Sequence, residues 1–245
     1  MPVFLQLYVL GGSLVTVTAL LGTVRSALAG WSVEARRRLV GRAGLVLFGW
    51  FVLATALAAA GAYAASQAGL PTIQYGLVVP VLAGLLAAWL SPTLRGLVAA
   101  VPQSRLIGLQ LFRVLGVVFL VLYAVAKLPG AFALPAGIGD VAIGLAAPFV
   151  ARAAARNPAG STALVRWWNG LGLVDLAIAV GTGFLTSPSP LQQLAFDRPN
   201  LLITAFPLVL IPTFLVPIAV LLHIASLGRL ARDAGGKMRT LWAAE

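Results

Sequence analysis

The 245 residues are 60% hydrophobic and 9% charged, with a mean hydropathy of +1.00. Soluble domains carry about 25% charged residues, so this chain has too little charge to coat a globule and reads as a membrane protein. The net charge of +11 does not signal nucleic acid, because the basic residues sit in short gaps between apolar runs, the pattern that sets membrane topology. There is no cysteine, which excludes disulfides and thiolate chemistry.

Apolar runs recur at membrane-spanning length and predict an all-α integral membrane fold, a bundle of seven transmembrane helices. The expected spans are residues 3–24, 43–66, 76–90, 106–126, 132–151, 167–186 and 202–226. The first reads as a retained span, because no basic region precedes it and no small-residue cleavage site is evident. Residues 91–104, with Arg95 and Pro102, read as a segment along the membrane interface. Residues 187–200 form the longest loop on the outer side, with Pro188, Pro190 and Pro199. Pro207, Pro212 and Pro217 lie five apart in the last span and imply a bent or locally opened helix, since each removes a backbone donor. Residues 227–245 read as a short basic tail with Arg229, Arg232, Lys237 and Arg239.

The basic residues test this count. One set of gaps holds fourteen Lys or Arg and the alternate set holds Lys127 and Arg198, with Arg113 left inside a span. That asymmetry predicts an outside N-terminus and a cytoplasmic C-terminus, in a plasma (inner) membrane. Trp31, Trp89, Trp167 and Trp168 then fall at the cytoplasmic interface and Tyr63, Tyr75 and Tyr123 towards the outer one, as aromatic belts do.

Residues 106–186 hold the groups that a bilayer resists: Gln110, Arg113, Asp140 and Asp175, joined by Asn169 and, from the last span, His223. At about 1.5 Å per residue from the nearest cytoplasmic arginine, Arg113, Asp175, Asp140 and His223 lie roughly 12, 13, 18 and 9 Å deep. Each charge at depth costs about 2.5–3.5 kcal/mol, so pairing across helices is the economical arrangement. Gly137, Gly144, Ala147 and Ala151 recur on the face of Asp140, a small-residue stripe that marks contact with another helix. Gln110 and Arg113 are three apart and share a face; Trp168, Asp175 and Thr182 share another. The pattern Gly137-x-x-Asp140-x-Ala-Ile143 recurs as Gly172-x-x-Asp175-x-Ala-Ile178 on a span of opposite direction, as in inverted-repeat transporters.

Several chemistries are excluded. No lysine lies within a span to carry a retinal, one histidine cannot make a bis-histidine haem, and the ligands of a zinc or di-iron site are missing. Neither a G-x-S-x-G elbow nor a Walker A motif occurs. No cofactor is expected. The leading functional expectation is a secondary transporter, with proton coupling as one form of it, or an ion-conducting protein. In it Arg113 would neutralise or bind an anion, Asp140 and Asp175 would take protons or a cationic group, and His223 would serve as a cytoplasmic proton exit. Gln110 and Asn169 would be interhelical hydrogen-bonding groups beside the pathway. The alternative is a non-transporting accessory subunit or seven-helix sensor whose buried charges only lock helices; a weaker one is a lipid- or pigment-binding protein. The partners implied are the lipid bilayer and a small solute or proton, with room for a homo-oligomer or a partner subunit.

Overall fold

The computed structural model describes residues 2–242, of which 234–242 are described by their backbone alone. It is helical throughout, with no strand among the described residues, and seven of its helical segments are long and apolar enough to cross a membrane. In chain order these are α1 (Val3–Ala27), α2 (Val33–Ala59), α3 (Ile73–Leu90), a composite fourth segment, α7 (Gly130–Arg156), α8 (Thr162–Thr186) and a composite seventh. A short helix, α4 (Pro92–Ala100), fills the stretch read as interfacial; the Ser91 hydroxyl caps it by accepting from the Leu94 N–H at 3.1 Å.

The second segment is displaced from its expected place. The Ser32 side chain caps α2 by accepting from the Ala35 N–H at 3.3 Å, so the helix starts before the arginines, and Arg36, Arg37, Arg38 and Arg42 occupy its first turns. It stops at Ala59 because Gly61 adopts φ +72° and closes a Schellman turn, in which the N–H groups of Ala62 and Gly61 donate to the carbonyls of Leu57 and Ala58. Residues 60–66, expected inside the span, belong instead to the connection.

The fourth segment is not a plain α-helix. It runs α5 (Gln103–Gly108), a 3₁₀ stretch Leu109–Gly116 and α6 (Val117–Ala124). Eight residues of 3₁₀ helix exceed the usual run of three or four. At three residues per turn, side chains three apart eclipse, and Ile107, Gln110, Arg113, Gly116 and Phe119 form one buried line. An α-helix would turn each step of three by about 60° and lose that alignment.

The seventh segment was expected to be helical over 202–226. Only the part from Ile211 qualifies, as a π-turn (Ile211–Leu215) leading into α9 (Val216–Trp242), whose backbone continues through most of the stretch expected to be a tail. Residues 205–209 run as a bend and turns after a single 3₁₀ turn, Leu202–Thr204. Pro207 and Pro212 remove the donors an α-helix needs here. This irregular backbone is wrapped by protein: Leu208, Val209, Leu210 and Phe214 are all fully buried. Burial in protein is the condition under which broken helices are tolerated at membrane depth. The side chains of Lys237 and Arg239 and residues 243–245 lie outside the described residues.

Two ends can be told apart by contact. At the arginine-rich end Arg105 donates to the Ser26 hydroxyl, and Arg229 donates to the Val101 carbonyl at 2.7 Å. At the other end the 60–72 connection meets the 187–204 stretch, with Gln67 donating to Gln192 at 3.0 Å and the Ala65 N–H to the Thr204 hydroxyl at 3.2 Å. Between them α7, α8, α9 and the fourth segment make the centre of the bundle. On its outside, Tyr8 of α1 donates to the Leu115 carbonyl at 2.9 Å, and Trp50 and Phe51 of α2 pack on Phe214 at 4.7 and 5.2 Å between ring centroids. Trp31, Trp89, Trp167, Tyr75 and Tyr123 face outward as belt residues would, whereas Trp168 and Tyr63 are turned into the interior.

The glycine stripe on α7 does what its pattern implied. A Cβ at Gly144 would sit 2.8 Å from the Val114 backbone nitrogen, so α7 rests directly on the 3₁₀ backbone. Gly144→Val is expected to cost about 1–3 kcal/mol by overpacking, seen as a lower midpoint of thermal unfolding in detergent. Gly170→Ala, at a position with nothing within 4 Å, should leave that midpoint unchanged or raised.

Candidate functional site

The charged residues singled out from the sequence converge. Arg113 Nε donates to Asp140 Oδ1 at 2.8 Å, and its Nη2 donates to Asp175 Oδ2. Its Nη1 donates to the Gly172 carbonyl at 3.3 Å and to His223 Nε2 at 3.2 Å. One guanidinium from the 3₁₀ stretch thereby ties α7, α8 and α9 together. Its side chain is 1% exposed, against 10% for Asp140 and 14% for Asp175. Four of the five N–H groups that a guanidinium carries are engaged.

These contacts settle the histidine tautomer. An arginine only donates, so His223 Nε2 must accept, and the ring is neutral with its proton on Nδ1. That proton goes to Asn169 Oδ1 at 2.9 Å. Asn169 Nδ2 donates in turn to the Val165 carbonyl at 2.7 Å and to the Ser226 hydroxyl oxygen at 2.9 Å, which also accepts from Gln103 Nε2 at 2.6 Å. A column of hydrogen-bonded side chains therefore leads from Arg113 towards the arginine-rich end, where Gln103 opens α5. Trp168 covers one side of it, 5.2 Å from the His223 ring centroid. Gln110 stands apart from this column and donates across to the Ala219 carbonyl of α9 at 2.9 Å.

Glycines make the close approach possible. The Asp175 carboxylate lies over Gly139, where any Cβ would collide with it, and His223 lies in the same way over Gly172. The Asp140 carboxylate rests on Gly116, the last residue of the 3₁₀ line. The two Gly-x-x-Asp patterns thus bring both carboxylates to one cation, yet their surroundings differ: Asp140 packs on the fourth segment and Asp175 on α7.

The opposite side of the cluster is apolar. A cavity of about 60 Å³ reaches Asp140 from the end away from the arginines. Phe119, Phe132 and Phe184 line it, Tyr63, Ser187 and Thr204 lie in its wall, and Asp140 is its one charged residue. The 187–200 loop is folded against its rim through Asn200, whose N–H donates to the Thr186 carbonyl at 2.9 Å and whose carbonyl accepts from the Ser187 hydroxyl at 3.1 Å.

All six residues named from the sequence are buried or half-buried, and four of them (Arg113, Asp140, Asp175 and His223) touch directly. Sequence reasoning missed Gln103, Ser226 and the wall of Tyr63 and Thr204. Ser226 carried a readable signal, being three residues after His223 and so on the same helix face. Gln103 and Thr204 carried none, because each sits at a helix terminus where a polar residue is ordinary.

Removing Arg113 leaves two carboxylates facing each other without a cation, so Arg113→Gln should cost about 3–5 kcal/mol. Adding Asp140→Asn and Asp175→Asn to it should recover most of that loss. Thermal unfolding of the three-residue variant beside the single one checks this.

Neither the curated proteins nor the solved structures contain a match to this chain. A family model does match, over residues 70–231. That stretch contains every side chain of the cluster and of the column, from Gln103 to Ser226, and omits α1 and α2. By this match over more than half of its length, the chain belongs to the DUF8737 family, a domain of unknown function.

Proposed function

We propose that this protein is a small proton-coupled secondary transporter of the plasma membrane, with its arginine-rich end in the cytoplasm. One observation carries the reading: a single guanidinium is shared between two carboxylates at the crossing of four segments. With all three groups ionised the cluster holds one excess negative charge, and in a low-dielectric interior such a charge calls for one proton or one cation. A site that must gain one positive charge to become neutral is suited to coupling. It is flanked by an apolar cavity on one side and by the polar column of His223, Asn169 and Ser226 on the other. The two flanks supply approach routes from opposite ends of the bundle.

The broken seventh segment supplies a place for movement. Its π-turn lies against α2 and α3, with Phe214 against Trp50 and Thr213 against Gly76. Discontinuous helices beside a midplane site are the usual moving parts of secondary transporters.

A second reading, a static lock in a non-transporting subunit or sensor, has one observation in its favour: Arg113 is 1% exposed and nearly saturated with partners. The two readings separate cleanly. As a carrier, the purified protein in proteoliposomes should dissipate an imposed proton gradient in the presence of substrate, and Asp140→Asn and Asp175→Asn should each abolish this while leaving the protein monodisperse. As a lock, no flux occurs with any variant, and exchanging the charges of Arg113 and Asp140 restores the stability lost by either single change. Full flux in both Asn variants would end the carrier proposal.

A further inference from the structure

The cavity and the cluster together narrow the kind of ligand. The guanidinium of Arg113 is held by Asp140, Asp175, Gly172 and His223 and is not part of the cavity wall. The one charged residue in the wall is Asp140, whose side chain is 10% exposed. Its Oδ1 is taken by Arg113, and no hydrogen bond to its Oδ2 forms among the described residues. The remaining surface is aliphatic and aromatic apart from the hydroxyls of Tyr63, Ser187 and Thr204. The hydroxyls of Thr204 and Ser187 already serve the loop, donating to the carbonyls of Leu201 at 3.0 Å and Asn200 at 3.1 Å.

An anion would meet a carboxylate and no cation, with the Tyr63 hydroxyl as its one side-chain donor not engaged elsewhere among the described residues. A bare metal ion fares little better, because hard cations take several oxygen ligands and this wall offers one carboxylate. A proton alone would leave the apolar space beyond Asp140 unexplained. An organic ammonium ion fits each part: its charge pairs with the carboxylate, its hydrocarbon part fills the apolar space, and aromatic rings within about 6 Å of a cation attract it. Phe119 and Phe132 meet edge to face at 5.1 Å in this wall, and Phe184 lies there too.

We propose that the cavity above Asp140 is a binding site for a small organic ammonium ion carrying an apolar substituent. This rests on the carrier reading for its physiological use, though the binding itself does not require transport.

The test uses the whole purified protein in detergent micelles. Ethylammonium, small enough for a cavity of about 60 Å³, is titrated into it by isothermal titration calorimetry. Ethylammonium should bind saturably, and acetate of similar size and sodium should not. Asp140→Asn should abolish this binding, and so should Ala179→Phe, which fills the cavity and keeps the carboxylate, each in a protein that remains monodisperse. Binding of acetate as strong as that of ethylammonium, binding of sodium alone, no binding of ethylammonium to the unaltered protein, or full binding to either variant would each overturn the proposal. Saturable binding without any flux in proteoliposomes would uphold the site and remove the carrier reading.

Discussion

A guanidinium held inside a bundle of apolar helices needs a partner for its charge and for its N–H groups, and the centre of this protein is arranged around that need. Arg113 cannot reach water, because its side chain is almost fully enclosed. Its donors are met from three different helices, by Asp140 of α7, Asp175 and the Gly172 carbonyl of α8, and His223 of α9. Meeting a planar fork from three directions requires the backbones to come close. Gly116, Gly139 and Gly172 supply that closeness, each lying where a side chain would displace a charged or aromatic neighbour. The 3₁₀ winding of Leu109–Gly116 belongs to the same solution, since it puts Gln110, Arg113 and Gly116 in one line facing the centre.

The cluster divides the interior into two unlike halves. Towards the arginine-rich end the neighbours are hydrogen-bonding side chains, with His223 neutral and directed by Arg113 on one nitrogen and Asn169 on the other. Such a directed chain fixes which atom carries each proton. Towards the opposite end the neighbours are phenylalanines and aliphatic residues around a cavity, capped by a loop that is itself hydrogen-bonded to the end of α8. An uneven charge count placed between a polar column and an apolar vestibule is the arrangement from which the proposed carrier activity follows. The family match covers the cluster and the column and not the α1–α2 pair, which packs on their outside.

Most of the plan was legible in the amino-acid sequence, because bilayer thickness and the cost of exposed backbone leave few choices. Run length located the segments, and the three-residue and four-residue recurrence of Gly137, Gly144 and Ala147 marked the face of α7 that packs inward. The errors have local causes. Gly61 ends α2 before its apolar run is exhausted, and Ser32 starts it among arginines, so hydropathy alone misplaced that segment. Proline spacing in the seventh segment indicated opening of the helix but not how much of it would be lost. Depth counted from the nearest arginine scattered the four charged or titratable groups over several ångströms, whereas they meet in one place. The count assumed straight α-helices, and the 3₁₀ stretch rises about 2.0 Å per residue instead of 1.5 Å.

By itself, then, the sequence determined that the chain forms seven apolar helical segments, which ends carry the arginines, and which few polar groups had to find one another. These follow from composition and from the price of a lone charge in hydrocarbon, which act on any fold the chain could adopt. Packing between distant residues set the rest: both aspartates share one arginine, His223 stands neutral between Arg113 and Asn169, and an apolar cavity ends on Asp140. Those outcomes depend on helix crossings set by contacts between residues far apart in the chain, such as Gly139 beneath Asp175, which no local pattern encodes.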